Sequence, residues 1–228
     1  MIYVMSDLHG CFELYVKMLK KIFFGEKDTL YILGDMVDRG KDGMKILLDI
    51  AVRKNVVCLR GNHDQQAEIL LSNLYRLEEE NASKELIDVY KMWLADGGDK
   101  TLMEYFTLSA EEQQTVLSVL KNSLLSKEIC VNGKDYLLSH TVPEAERLRD
   151  FKKWGVEEYT FGEPDYEQIY FEDKFIVTGH TPTGLIDKKS KGRIWKGNNH
   201  IAIDCGAVFG GTLGCLCLDT MEEFYVKI

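Results

Sequence analysis

Five short polar stretches interrupt apolar runs in this 228-residue chain, and each carries a side chain able to hold a metal ion or move a proton. The first is Asp7-Leu8-His9-Gly10. The second, Gly34-Asp35-Met36-Val37-Asp38-Arg39-Gly40, packs two acids and an arginine between glycines that permit close backbone approach. The third is Arg60-Gly61-Asn62-His63-Asp64, the fourth Ser139-His140, and the fifth Gly179-His180-Thr181-Pro182. An Asp-x-His alone reads more readily as a capped strand end, and a single histidine is more often structural. Five such stretches together are hard to assign to packing.

The elements that must position them can be read from the apolar runs. Ile2-Tyr3-Val4-Met5, Leu30-Tyr31-Ile32-Leu33 and Val56-Val57-Cys58-Leu59 read as buried strands. Leu14, Met18, Leu19 and Ile22 lie at helical spacing, as do Met44, Leu47, Leu48 and Ala51. This alternation argues for parallel strands with crossover helices. Residues 64–125 contain no strand-like run and no proline, with Gly97-Gly98 as a break, and read as a helical cap or insertion. Strands return at 128–131, 135–139, 174–178, 192–196, 200–204, 213–218 and 223–227, with Asn132-Gly133 as a hairpin signal. The expectation is one domain over residues 1–228, of α/β class. Asp7, Asp35, Asn62, His140 and His180 each fall within about one or two residues of a strand end, where α/β sheets bind ligands.

The composition bounds what such a site could act on. The net charge is −9, from 28 basic and 37 acidic residues, and no basic footprint for nucleic acid is visible. The run Glu78-Glu79-Glu80 reads as a solvated face. Any phosphate site in so acidic a chain must be made locally positive by metals or placed arginines. The six cysteines match no zinc spacing, and four lie in apolar runs, which fits a reducing cytoplasm. No signal peptide is visible, and no apolar stretch approaches the ~18–20 residues needed to cross a membrane. His200, before Ile201-Ala202-Ile203, reads as a surface residue at a strand end, and Tyr159, Tyr166, Phe171 and Trp195 as core or hairpin aromatics.

The order of the five stretches resembles the metallophosphoesterase superfamily, and more narrowly its bacterial and phage serine/threonine phosphoprotein phosphatases. The likeness runs from Asp7 to Ile203-Asp204-Cys205-Gly206-Ala207-Val208-Phe209, and the second stretch matches at every fixed position. The resemblance implies a β-sandwich flanked by helices. It implies two metal ions: Asp7 and His9 on the first, Asp35 bridging both, and Asn62, His140 and His180 on the second. Oxygen and imidazole ligands suit manganese, iron or zinc rather than calcium. It further implies a metal-bridging hydroxide as in-line nucleophile, His63 as general acid for the leaving alkoxide, and Asp38 as the carboxylate that orients it. Arg39 and Arg60 resemble phosphate clamps. Asp204 is a candidate support for a metal-binding histidine.

Three departures stand out. The fourth stretch reads His140-Thr141-Val142 where the family usually has His-Ala-Gly, and Asp64 stands where most eukaryotic members have Glu. A further phosphate-binding arginine is expected before the fifth stretch, and only Arg147 and Arg149 lie there; Trp154-Gly155-Val156 lacks the arginine that some relatives carry at that point. The substrate could be a phosphoprotein or a small phosphoester. A symmetrical diadenosine tetraphosphate hydrolase shares the ligands and the Gly210-Gly211-Thr212-Leu213 region, but by resemblance often lacks an acid at Asp38 and an arginine at Arg60. Both are present, which favours the protein phosphatase. An inactive metal-holding scaffold predicts a missing ligand or acid, and none is missing.

Overall fold

The chain builds, in order, β1 (Ile2–Met5), α1 (Phe12–Lys21), β2 (Thr29–Ile32), α2 (Gly43–Ala51), β3 (Val56–Cys58), α3 (Asn62–Ser72), α4 (Lys84–Trp93), α5 (Asp99–Tyr105) and α6 (Ala110–Asn122). It continues through β4 (Ser126–Val131), β5 (Lys134–Ser139), α7 (Val156–Thr160), β6 (Lys174–Thr178), α8 (Thr183–Ile186), β7 (Trp195–Gly197), β8 (His200–Ala202), β9 (Thr212–Cys217) and β10 (Glu223–Lys227). The computed structural model describes residues 1–77, 83–144, 146–147 and 153–227, so Glu78-Glu79-Glu80 and Arg149 lie outside the described residues.

Alternate residues of the strands feed two different cores, as the period of two requires. Val4, Tyr31 and Leu216 pack against Tyr136, Leu138, Val177 and Ile201 of the second half of the chain. Their neighbours Tyr3, Met5, Leu30, Ile32, Cys215 and Cys217 face the other way, into a core shared with Leu14, Met18, Leu47, Leu70, Trp93 and Leu120 of the helices. Two five-stranded sheets, ordered β10-β9-β1-β2-β3 and β4-β5-β6-β8-β7, therefore form a sandwich. Helices α1 to α6 cover the outer face of the first sheet. A smaller cluster of Val142, Trp154, Tyr159, Tyr170 and Ile176 covers the second. The sandwich flanked by helices is the arrangement the resemblance implied.

Strand direction decides where the polar stretches emerge. β1, β2 and β3 run parallel, and so do β5, β6 and β8. Asn132 and Gly133 join β4 to β5 with φ of 51° and 76°, a turn in which both central residues are left-handed. The seventh strand begins at Trp195 rather than at 192, because Gly192 (φ 74°) and the Arg193 N–H to Ser190 carbonyl bond still belong to a turn. No strand falls among the described residues of the helical stretch. Its helices do not stand off as a separate lid: they share the first sheet's outer core.

His200 corrects the sequence reading. It is 1% exposed, stacked on Tyr166 at 4.9 Å, with Tyr170 and Trp195 edge-on around it. Its Nε2 lies 2.8 Å from Thr178 Oγ1, while Nδ1 has no partner. The covering tyrosines come from the chain before β6, beyond the reach of a local pattern. Burial pulls the imidazole pKa down from 6.5 to about 3. The folded protein therefore keeps His200 neutral where the unfolded chain would protonate it. The stability is complete above the unfolded value of ~6.5 and is lost as pH falls toward the folded one, by up to ~1.4 kcal/mol per pH unit. With chelator present, His200→Gln should flatten the fall in urea midpoint between about pH 6.5 and 4.5 relative to the parent. Equal slopes would mean that His200 accepts a proton in the folded state.

Candidate metal centre

The loops that follow the parallel strands interlock through their backbones. Asp7 N–H donates to Gly34 O (3.1 Å), His9 N–H to Asp35 O (2.8 Å) and Gly179 N–H to His140 O (3.0 Å). Six residues named from the sequence sit in the left-handed region: Asp7, His9, Asp35, Asp38, Arg39 and His180, with φ between 39° and 67°. Each such residue costs on the order of 1 kcal/mol and persists only where its surroundings hold it. Gly179 shows how close the loops run: a Cβ there would lie 1.9 Å from Ser6 Oγ and 2.1 Å from Asp7 Oδ2.

Asp35 stands at the centre. Its Oδ2 is 3.5 Å from His9 Nε2 and 3.6 Å from His140 Nε2, and its Oδ1 accepts the His63 backbone N–H at 3.1 Å. Two groups of side chains bring their ligand atoms within 4.8 Å of one another: His9, Asp35 and His63, and Asp35, His140 and His180. Asn62 joins the second group, its Oδ1 being 3.0 Å from His140 Nε2 and 3.2 Å from His180 Nδ1. Asp7 falls in neither group. It is 2% exposed, and both of its oxygens accept the His180 N–H, at 3.2 and 3.0 Å.

The donor set fits divalent cations. His9 Nδ1 donates to Val37 O (2.9 Å) and His140 Nδ1 to Leu33 O (2.7 Å), which leaves each Nε2 lone pair facing Asp35. His140 Nε2 also lies 3.1 Å from His180 Nδ1. At most one proton can sit in the triangle of these two nitrogens and Asn62 Oδ1, so a shared cation is what satisfies all three. The electrostatics agree. Burial, then the neighbouring His63 and Arg39, pulls His9 down to about 3 and His180 to about 4, and burial likewise depresses His140. Burial, then Asp204, pushes Asp7 well above the carboxylate range, and burial, then Asp64, does the same to Asp35. Neutral imidazoles around carboxylates that resist ionising form a pocket whose charge balance a metal ion restores.

His63 differs from the other histidines. Its Nδ1 donates to Asp38 Oδ2 at 2.8 Å, and its buried Nε2 has no hydrogen-bond partner. Asp38 is fully engaged, accepting also from Trp93 Nε1 (2.9 Å) and Thr101 Oγ1 (2.6 Å). A carboxylate on one ring nitrogen and an open second nitrogen suit a proton donor. Sequence reading missed Trp93 and Thr101, because only the packing of α4 and α5 brings them to Asp38. It noted Asp64 as a departure without seeing its use. That carboxylate accepts the N–H groups of Asp35 (2.8 Å), Met36 (2.9 Å) and Gly61 (3.0 Å), tying the second stretch to the third.

The two arginines part company. Arg39 Nη1 lies 2.9 Å from His9 Nε2 and its guanidinium 5.6 Å over the Phe209 ring, so it is in the site. A cavity of about 450 Å³ opens beside it, lined in part by Gly10, Phe12, Lys41 and Val208. Arg60 is not brought to the cluster. Its guanidinium donates to Gln65 Oε1 (2.7 Å) and to the carbonyls of Leu120 (3.0 Å) and Lys121 (2.7 Å), closing the C-terminal end of α6. Asp204 supports no histidine: its Oδ1 accepts Gly206 N–H at 2.8 Å, and burial raises it to about 6. Arg147 is 56% exposed and paired with Glu158 at 2.5 Å.

Comparison with known proteins places this geometry. The chain is 29% identical to "Serine/threonine-protein phosphatase 1" of Salmonella typhimurium, over 93% of this chain and 89% of that protein. It is 27% identical to the asymmetrical bis(5'-nucleosyl)-tetraphosphatase PrpE of Anoxybacillus flavithermus, over 99% and 94%. It spans about half (54%) of the length of the symmetrical bis(5'-nucleosyl)-tetraphosphatase of Buchnera aphidicola that it matches. A serine/threonine phosphatase structure from Saccharomyces cerevisiae shares the fold at a TM-score of 0.60 and 16% identity, covering 100% of this chain and 79% of that one. Residues 1–204, a span that holds all five polar stretches, match the model of one family: the chain belongs to the calcineurin-like phosphoesterases.

Proposed function

We propose that this phosphoester hydrolase is a serine/threonine protein phosphatase. The observation that carries the reading is His63, held by a fully bonded Asp38 with its other nitrogen free beside the histidine–carboxylate cluster. Asp7 and His9 would hold one ion, Asn62, His140 and His180 the other, and Asp35 both. Manganese suits these donors, as do iron and zinc. When bound, the ions supply electrostatic stabilisation of the phosphoryl oxygens and acidify a water. The Arg39 fork holds and orients the phosphoryl group. His63 delivers the proton from Nε2 to the leaving oxygen, while Asp38 fixes the ring's tautomer and direction. Trp93 and Thr101 in turn hold the Asp38 carboxylate in one rotamer. No helix among the described residues is long and apolar enough to cross a membrane. All six cysteines are free and four are buried, which fits a reducing compartment, and we place the enzyme in the cytoplasm.

The second reading is a symmetrical tetraphosphatase, which the names of relatives support. The acidic Asp38 favours the protein phosphatase; Arg60 no longer bears on the choice, because it closes a helix. The deciding assay compares kcat/KM of the manganese-loaded protein on a phosphothreonine peptide and on diadenosine tetraphosphate. The peptide should be preferred, and preference for the dinucleotide, with ADP as product, would replace the first reading with the second.

Four substitutions separate the roles. Asp35→Asn should abolish turnover and reduce the manganese stoichiometry seen by titration calorimetry, and an unchanged stoichiometry would remove Asp35 from its bridging place. His63→Asn should cut kcat by roughly 10²–10⁴ with both ions retained; loss of metal would make His63 a ligand instead. Arg39→Ala should raise KM, whereas Arg60→Ala should lower the melting temperature and leave KM near that of the parent. A KM increase in the Arg60 variant would restore it as a phosphate clamp.

A further inference from the structure

The turn Leu94–Gly98, between α4 and α5, presses a carboxylate against the proton donor. Gly97 sits at φ 100° and its carbonyl accepts Arg39 N–H at 3.0 Å. A Cβ at Gly97 would lie 2.6 Å from Arg39 N, so the turn and the arginine backbone are in direct contact. That contact fixes its neighbour Asp96. Asp96 Oδ1 lies 3.1 Å from Arg39 Nη2, and Oδ2 lies 3.6 Å from His63 Nε2. The side chain of His63 is 1% exposed and that of Asp96 56%. Asp96 therefore stands on the solvent side of the nitrogen that hands over the proton. A leaving group that takes that proton forms beside this carboxylate.

We propose that Asp96 is a specificity-determining residue, a negative charge at the leaving-group side that favours leaving groups without charge and rejects those bearing further phosphates. The inference rests on the assignment of His63 as proton donor. In either hydrolysis a water adds to phosphorus, the phosphorus–oxygen bond breaks, and the leaving oxygen takes the proton from His63. A seryl or threonyl side chain leaves as a neutral alcohol. A dinucleoside tetraphosphate cleaved symmetrically leaves as a nucleoside diphosphate, whose anionic oxygens would emerge beside the Asp96 carboxylate. Like charges at such range in a partly exposed site repel by an amount that corresponds to about tenfold in rate. Asp96 also shares Arg39 with the incoming phosphate, but that competition is common to both substrates and cancels in their ratio.

The test is the ratio of kcat/KM on diadenosine tetraphosphate to that on a phosphothreonine peptide, for the parent, Asp96→Asn and Asp96→Glu, all manganese-loaded. The Asn variant, which keeps the size of the side chain, should raise the ratio about tenfold. Glu, which keeps the charge, should hold it near the parent value. The gap between parent and Asn should narrow at high salt, because screening weakens a charge effect and leaves a packing effect alone. Titration calorimetry should find ADP binding tighter to the Asn variant by a similar factor. An unchanged ratio, a shift insensitive to salt, or a Glu variant that behaves as Asn would overturn the proposal. Failure of the phosphatase reading would look different: the parent would prefer the dinucleotide outright, and the Asp96→Asn shift in the ratio would still decide the role of Asp96.

Discussion

A carboxylate buried between two imidazoles is the constraint on which the rest of the molecule depends. Asp35 is 2% exposed, its Oδ2 is shared between His9 and His140, and burial pushes its carboxyl well above the usual carboxylate range. An isolated charge in such a place is costly, so the surroundings must supply a positive partner or hydrogen bonds. Much of the fold serves that need. The two sheets meet so that ligands from both reach one point, and the backbone N–H groups of Asp35 and Met36 are anchored on Asp64. The left-handed residues are the conformational cost of turning side chains inward from strand ends that would otherwise carry them past one another.

The helices between β3 and β4 are part of this machinery. Trp93 and Thr101 complete the Asp38 carboxylate, and Asp38 completes His63. The same stretch delivers Asp96 through the turn at Gly97. One helical excursion thus fixes the tautomer of His63 and sets the charge beside it. Because α4 and α6 share the first sheet's outer core, the rigidity of the site is coupled to the packing of Tyr90, Trp93, Val116 and Leu120. Arg60 takes part in this coupling. By closing α6 it holds the far end of the excursion against the residue that precedes Gly61 and Asn62.

Much of the site was legible from residue type and position. Asp7, Asp35, Asn62, His140 and His180 stood out as polar residues at strand ends, the resemblance added His9 to them as candidate ligands, and the structure gathers them at one rim. The signal is local: a strand ends where its apolar run ends, and parallel strands send their following residues to the same edge. The Asn132-Gly133 turn and the helical character of the middle stretch were legible for the same reason, since turn chemistry and helical period are expressed within a few residues.

What the sequence could not express is which atom of a long or titratable side chain meets which partner. Arg60 lay one residue before a glycine and looked free to hold phosphate, but the end of α6 lies over it and its Nη1 and Nη2 groups donate to Gln65 and to the last carbonyls of that helix. His200 looked like a surface residue because two of the aromatic rings that enclose it, Tyr166 and Tyr170, come from before β6. Asp96 sat next to a recognised Gly-Gly break with nothing to mark it as a neighbour of His63. The order and type of the residues determined the family and the edge at which the candidate ligands gather. The tertiary structure alone decided the roles of the charges around them, because hydrogen bonds and Coulomb interactions act over a few ångströms of space, whatever the separation along the chain.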